Sequence, residues 1–201
     1  MKTQFKIGLL LLAAGASVRM GKPKQQLEFR GKTLLQNAIQ AALNSVCRPI
    51  VVVLGSNADI FKSEIKDFDV QIAENSDWQN GMNSSIKCGL EKILDLDNQV
   101  KGVVIMVCDQ PLITAEIINQ LVKTQQATGS LVVASKYVET LGVPALFSHH
   151  LFPELFNLKH SGGAKKIIEK FKSQTSEIFF PDGEFDIDTP EDYQKLGKIK
   201  K

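Results

Sequence analysis

The sequence predicts an α/β fold, a mostly parallel sheet flanked by helices on both faces, and three observations carry that expectation. Short, nearly continuous runs of Leu, Ile and Val alternate along the chain with segments whose apolar residues recur at helical spacing. The first run passes without interruption through Leu12 into Ala13-Ala14-Gly15 and then into a basic loop reaching Lys24, as when a buried strand delivers a loop at its carboxyl end. The chain has 201 residues, 43% hydrophobic and 23% charged, which suits one domain with a sizeable core.

In order, Phe5 to Leu12 is the first strand. Thr33 to Val46 carries Leu34, Leu35, Ala38, Ile39, Ala42 and Leu43 at helical spacing, with Thr33 placed to cap it. Ile50 to Leu54 is a β-branched run that Gly55-Ser56-Asn57 turns into a second amphipathic segment, Ala58 to Lys66. Asp69 to Ala73 is a third strand, and Gly81 to Leu94 a helix with Met82, Ile86, Leu90 and Ile93 on one face. Gly102 to Val107 is the clearest buried strand and ends at Cys108-Asp109-Gln110-Pro111. A helix over Thr114 to Gln126 and strands over Leu131 to Tyr137 and Val143 to Phe147 follow. Beyond Ser148 the pattern is helical and irregular. Ser161-Gly162-Gly163 opens the segment Ala164 to Phe171, Ile178 to Phe180 is a last strand, and Asp186 to Asp192 leads into a final helix. No low-complexity linker and no internal repeat divides the chain.

Composition excludes several classes of function. A net charge of +2 is too small to argue for nucleic acid, and Lys195, Lys198, Lys200 and Lys201 read as a solvated end. The apolar run Ile7 to Ala14 is far shorter than the roughly 20 residues that span a bilayer. Lys2 and Lys6 before that run imitate a signal peptide, but cleavage near Gly15 would destroy the basic loop, so we read the run as a strand. Cys47, Cys88 and Cys108 are odd in number and far apart, which fits neither a disulfide framework nor a zinc site and makes a reducing cytoplasm the expected setting. His149, His150 and His160 have no partner at metal-binding spacing, and no Gly-x-Ser-x-Gly elbow occurs.

The chemistry concentrates in Leu10 to Lys24. Gly15 lets backbone N–H groups approach an anion, Arg19 offers a bidentate fork, and Lys22 and Lys24 add point charges. These residues suit either a polyphosphate site or an ordinary basic turn between a strand and a helix, and they match neither of two better-known loops. Five residues separate Gly15 from Gly21, where a P-loop has four, and Pro23 follows Lys22 where a magnesium-binding hydroxyl is required. No Gly-x-Gly-x-x-Gly follows the strand, so the dinucleotide fingerprint is absent too. Asp109 is a strand-end carboxylate fixed by Pro111, suited either to Mg²⁺ or to capping a turn. In the second acidic cluster, capping of the final helix accounts for Glu191 and Asp192, whereas Asp186 and Asp188 lie upstream of it. Gly81, Ser84 and Ser85 mark a helix start that either binds a ligand or is a plain cap with Trp78 and Met82 packed in the core.

Leu12-Ala13-Ala14-Gly15 through Lys24 resembles the signature loop of nucleotidyltransferases with a Rossmann-like core, in particular the molybdenum cofactor cytidylyltransferases and guanylyltransferases. The resemblance runs from Leu12 to Tyr193 with its motifs in the family's order. It implies that the loop wraps a nucleoside triphosphate, with Arg19 and Lys24 on its phosphates as catalytic residues together with Asp109. It implies Mg²⁺, or Mn²⁺ in its place, on Asp109 of the Cys-Asp-Gln-Pro turn and on an acidic residue of Asp186-Ile187-Asp188-Thr189-Pro190, for which we take Asp188 ahead of Asp186. Trp78 to Ile86 looks like the stretch beside the nucleotide, which makes Gly81, Ser84 and Ser85 base or ribose contacts. Gly142, Pro144, Gly163 and Lys165 resemble the acceptor side, although Ser161-Gly162 stands where some relatives have an aspartate. The nucleotide part is then about 1–112 and the acceptor part about 113–201.

Ala-Ala-Gly rather than Ala-Gly-Gly after Leu12 resembles the enzymes that use CTP. The resemblance therefore implies transfer of CMP to molybdenum-loaded molybdopterin, with a molybdenum hydroxylase or its chaperone as the expected protein partner. The alternatives are guanylyl or cytidylyl transfer to a sugar, alditol or terpenoid phosphate, and a delivery protein that holds nucleotide or pterin without reacting.

Overall fold

A computed structural model describes residues 5–159 and 162–198 of the chain. Its first strand, β1 (Gly8–Leu12), has no polar side chain and is buried along its whole length, which requires a central place in a sheet covered on both faces. The short pair β2 (Glu28–Phe29) and β3 (Lys32–Thr33) follows, then α1 (Leu34–Leu43), β4 (Ile50–Leu54), α2 (Ala58–Ile65) and β5 (Gln71–Glu74). Next come α3 (Met82–Leu96), β6 (Gly102–Val107), α4 (Ala115–Thr128), β7 (Val132–Tyr137) and β8 (Thr140–Ser148). The chain ends in α5 (Phe152–Phe156), α6 (Gly163–Lys170), β9 (Thr175–Phe179) and α7 (Pro190–Leu196).

Seven strands form one sheet in the order β5-β4-β1-β6-β8-β7-β9. All neighbours are parallel except β8, which runs against both β6 and β7. Leu12 stands beside Val53 of β4 and Val107 of β6, so the carboxyl ends of these three strands meet at one edge. The reversal of β8 brings its amino end to that same edge, together with the carboxyl ends of β7 and β9.

Strand alternation divides the core in two. Leu9, Leu11, Val52 and Leu54 pack with Leu35 and Ile39 of α1, Phe61 of α2 and Leu121 of α4. Leu10, Leu12, Val51 and Val53 pack with Ile86, Leu90 and Ile93 of α3, Leu155 of α5 and Ile167 of α6. A smaller third cluster joins Met20, Leu27, Phe29 and Leu34 to Ile187 and Leu196, and so ties the basic loop to the segment before α7. Among the described residues no helix is long and apolar enough to cross a membrane.

Differences from the sequence expectation are local. Thr33 caps α1 through a reciprocal pair, its Oγ1 accepting from the Gln36 N–H at 3.2 Å while Gln36 Oε1 accepts from the Thr33 N–H at 3.1 Å, and the helix stops at Leu43 rather than Val46. The strand expected over Val143 to Phe147 is longer, because β7 and β8 form a hairpin with an irregularity at Ala134/Ser135. The β2–β3 pair is too short to leave a periodic signal. Met82 sits in the first turn of α3 and is 48% exposed, whereas Ile86, Leu90 and Ile93 are fully buried. His160, Ser161, Lys2, Lys200 and Lys201 lie outside the described residues.

Candidate active site

The loop after β1 owes its shape to a residue that periodicity does not flag. Gln25 is 1% exposed, and its Nε2 donates to the carbonyls of Ala13 at 2.9 Å and Gly15 at 2.8 Å. Ser17 Oγ accepts from the Lys24 N–H at 3.0 Å and donates to Gln25 Oε1 at 3.3 Å, which closes the loop on itself. A Cβ on Gly15 would project into open space, so a ligand can approach the backbone there closely.

The Lys24 ammonium stands between two carboxylates, donating to Asp109 Oδ2 and, at 3.2 Å, to Asp188 Oδ1. Arg19 Nη2 donates to the other oxygen of Asp188 at 2.8 Å. Burial works to lower the Lys24 pKa, but the charge and hydrogen bond of Asp109, helped by Cys108 and Asp188, raise it above the ordinary value, so the ammonium keeps its proton. The acidic segment reaches this place because the Ile187 N–H donates to the Asp109 carbonyl at 2.9 Å and the Ile187 side chain is buried in the third cluster. Asp186 and Asp188 are thereby set on either side of an anchored residue. Burial, and then the charge of Asp109, pushes Asp186 up to about 6. Downstream, Thr189 and Asp192 cap α7 reciprocally, so Asp192 serves the helix.

Two observations bear on whether these residues suit a divalent ion. Asp109 Oδ1 is buried with no hydrogen-bond partner among the described residues, an oxygen donor left for a ligand. Among the described residues no group of three or more His, Cys, Asp or Glu could hold a metal alone. Two carboxylates with an open remainder suit Mg²⁺, which keeps waters and takes phosphate oxygens as further ligands.

Beside the carboxylates lies a cavity of about 220 Å³ lined by Leu12, Ala13, Ala14, Gly15, Lys24, Gln25, Trp78, Gly81, Met82, Ser85, Val107, Cys108 and Asp109. Gly55 lets its walls close: a Cβ there would lie 2.6 Å from Trp78 Cβ and 2.9 Å from Ala14 Cβ. A roomier hollow of about 600 Å³ includes Ile7, Pro49, Ile50 and Gln71 at the amino ends of the strands, the edge opposite the one where parallel sheets bind ligands.

The candidate residues are not all gathered in this cavity. Ser85 lines it, whereas the Ser84 hydroxyl is engaged with the carbonyls of Asp77 and Gly81 at 2.9 and 2.8 Å. Lys22 lies over the Tyr193 ring, 5.7 Å from its centroid. On the acceptor side, Gly163 packs near Met82, and the Pro144 carbonyl accepts from Ser135 Oγ at 2.6 Å. Gly142 is covered by Tyr137, whose hydroxyl would lie 1.9 Å from a Cβ built there. Lys165 borders a separate depression with Glu139, Leu141 and Lys172. Sequence reasoning missed Gln25, Gln110 and Asn75. Gln110 is 4% exposed and ties the Asp109 turn to the stretch just before Asp186 by donating to the Gly183 carbonyl at 2.8 Å. A glutamine beside Asp109 carries no sequence signal of that bond.

The family model described as the MobA-like NTP transferase domain matches residues 9–177. The purine catabolism protein PucB of Bacillus subtilis strain 168 is 28% identical over 211 aligned residues, 98% of each chain. Nicotine blue oxidoreductase of Paenarthrobacter nicotinovorans is 34% identical over 114 residues, 56% of this chain, and the match spans only 53% of that relative's length. The crystal structure of Rv0371c from Mycobacterium tuberculosis H37Rv superposes with a TM-score of 0.81 at 25% identity, covering 96% of this chain and 98% of its own. The same protein in complex with manganese gives 0.73 at 25% identity, over 95% and 97% of the two chains.

Proposed function

Since the chain belongs to the family of MobA-like NTP transferase domains and is thus a nucleotidyltransferase, we propose that it transfers CMP from CTP to molybdenum-loaded molybdopterin and releases pyrophosphate. The observation that carries this reading is the meeting of Asp109, Asp188 and Arg19 around Lys24, at the mouth of a cavity walled by Ala13 to Gly15 and Trp78. In the proposed reaction an oxygen of the acceptor phosphate bonds to the α-phosphorus of CTP. The bond from that phosphorus to the bridging oxygen of the β-phosphate breaks, and pyrophosphate leaves with the electron pair.

The chain's own residues contribute position and charge. The loop that Gln25 braces cradles the triphosphate with backbone N–H groups, while Lys24 and Arg19 exchange their carboxylate partners for phosphate oxygens. Asp109 and Asp188 would hold Mg²⁺, or Mn²⁺ in its place, and what the ion supplies when bound is neutralisation of charge on the triphosphate and departing pyrophosphate. The structure of Rv0371c in complex with manganese supports a divalent ion as part of this reading. No protein nucleophile is required. The one thiol in the cavity, Cys108, is pushed up to about 12 by burial and the neighbouring Asp109 charge, which keeps it an unreactive thiol.

CTP is favoured over GTP because the Ala14 methyl occupies the cavity wall against Trp78 and Gly55, where a purine needs more room. Ala14→Gly, with nearby changes, is expected to gain GTP-dependent turnover; no gain at all would remove this account of base choice. The function is tested by magnesium-dependent pyrophosphate release from CTP, GTP, ATP and UTP, each with and without molybdenum-loaded molybdopterin. Release from CTP only when the pterin is present is the expected result. Tight CTP binding without release would move the acceptor to a sugar, alditol or terpenoid phosphate, and no nucleotide binding would favour a delivery protein for a molybdenum hydroxylase or its chaperone.

A further inference from the structure

Asn75 follows β5 and is 5% exposed, and its N–H donates to the Leu54 carbonyl at 2.8 Å, which fixes it where the carboxyl ends of β4 and β5 meet. Its side-chain Oδ1 accepts from the Asp77 N–H at 3.0 Å. A backbone N–H can only donate, so this bond settles the amide's orientation by chemistry. The Nδ2 group must then face the start of α3, where it donates to Ser84 Oγ at 2.8 Å and to Ser85 Oγ at 3.0 Å. Both serine oxygens are consequently acceptors toward Asn75, and each hydroxyl hydrogen must go elsewhere. That of Ser84 goes to the carbonyls of Asp77 and Gly81. Ser85, which is 4% exposed and borders the cavity, has no acceptor for its hydrogen among the described residues.

We infer that Asn75 is a specificity-determining positioning residue: it fixes Ser85 as a hydrogen-bond donor toward the cavity, so that the site selects a base presenting an acceptor atom, a ring carbonyl or ring nitrogen, at that point. This rests on the reading of the cavity as a nucleoside triphosphate site and adds the polarity of one contact. Asn75 itself does not touch the base. A carboxylate in place of the amide reverses the arrangement, because one of its oxygens still accepts from the Asp77 N–H while the other draws the Ser85 hydrogen inward. Ser85 then turns a lone pair toward an acceptor and repels it.

The test is a double-mutant cycle on affinity, read from the fluorescence of Trp78, the chain's single tryptophan and part of the cavity wall. The probe is whichever of CTP, GTP, ATP and UTP the wild-type protein binds most tightly. Asn75→Asp is expected to weaken binding by about tenfold or more, Ser85→Ala by about tenfold, and Asn75→Ala by less than Asn75→Asp, since Ser85 is then free to turn. In the Ser85→Ala background Asn75→Asp should add almost nothing. A loss that persists there would come from charge or folding and would overturn the inference. The cycle is repeated with the 2′-deoxy and 3′-deoxy forms of the same nucleotide. Unchanged coupling supports a base contact, and coupling that vanishes with either form assigns the Ser85 hydrogen to the ribose and overturns it. Binding without transfer to the pterin would fail the proposed function alone, whereas no binding of any of the four nucleotides would overturn both.

Discussion

Replacing Asp109 with alanine is expected to lower pyrophosphate release by about a thousandfold while leaving most of the affinity for CTP. The two quantities separate because different elements supply them. On the proposed reading affinity comes from the loop after β1 and the start of α3, whose backbones other residues brace: Gln25 and Ser17 hold the first, and Asn75 holds the second. Turnover needs charge neutralised on the reacting phosphates. Asp109 would bring to that task a buried oxygen with no hydrogen-bond partner among the described residues, on a turn that directly follows a strand buried from Gly102 to Met106. Asp109→Asn sharpens the test, since the amide keeps the volume and an oxygen but loses the charge, and it should be nearly as impaired. Single-turnover release and Trp78 fluorescence measure the two quantities on the same samples. Unchanged release by Asp109→Ala would refute the metal assignment outright.

The parts of this arrangement that were legible in the sequence are those with a repeating or local signature. β1, β4 and β6 announce themselves because strands buried on both faces must be apolar at every position, and the chain at Ile50 to Leu54 and Gly102 to Val107 has no other solution. Lys24, Asp109 and Asp188 are readable through the resemblance of their motifs to the nucleotidyltransferase loops, since a lone carboxylate at a strand end reads equally well as a turn cap. What holds them together is not readable. The bond from Ile187 to Asp109 joins residues 78 positions apart, and no pattern within either segment encodes it. Gln25, Asn75 and Gln110 are equally silent, because a polar residue in a loop gives the same signal whether solvated or buried with its donors satisfied. The antiparallel course of β8 also lies beyond periodicity, which sets which face a side chain takes but not the direction of the strand. The Val138-Glu139 turn that reverses it lacks the usual Asn-Gly signature and puts the β-branched Val138 at a φ of +51°.

Lys24→Ala is expected to slow transfer by about a hundredfold or more and, at the same time, to strengthen the binding of Mn²⁺ in the absence of nucleotide. The first effect follows from the loss of a permanent positive charge that the fold holds at 16% side-chain exposure, where the surroundings screen it poorly. The second follows from what the ammonium does before nucleotide arrives. It links Asp109 to Asp188, and with Arg19 it offsets the repulsion of two carboxylates brought close by the Ile187 anchor. Without it the same pair is a more negative site and accepts a divalent cation more readily. Lys24→Arg should restore the charge without restoring the rate, because a planar guanidinium cannot take the place of a compact ammonium between those oxygens. Mn²⁺ titration followed by electron paramagnetic resonance reads the second effect without any turnover. A variant with normal transfer would reduce Lys24 to a structural lysine, and a variant with slow transfer but unchanged Mn²⁺ affinity would show that the two carboxylates do not share one cation.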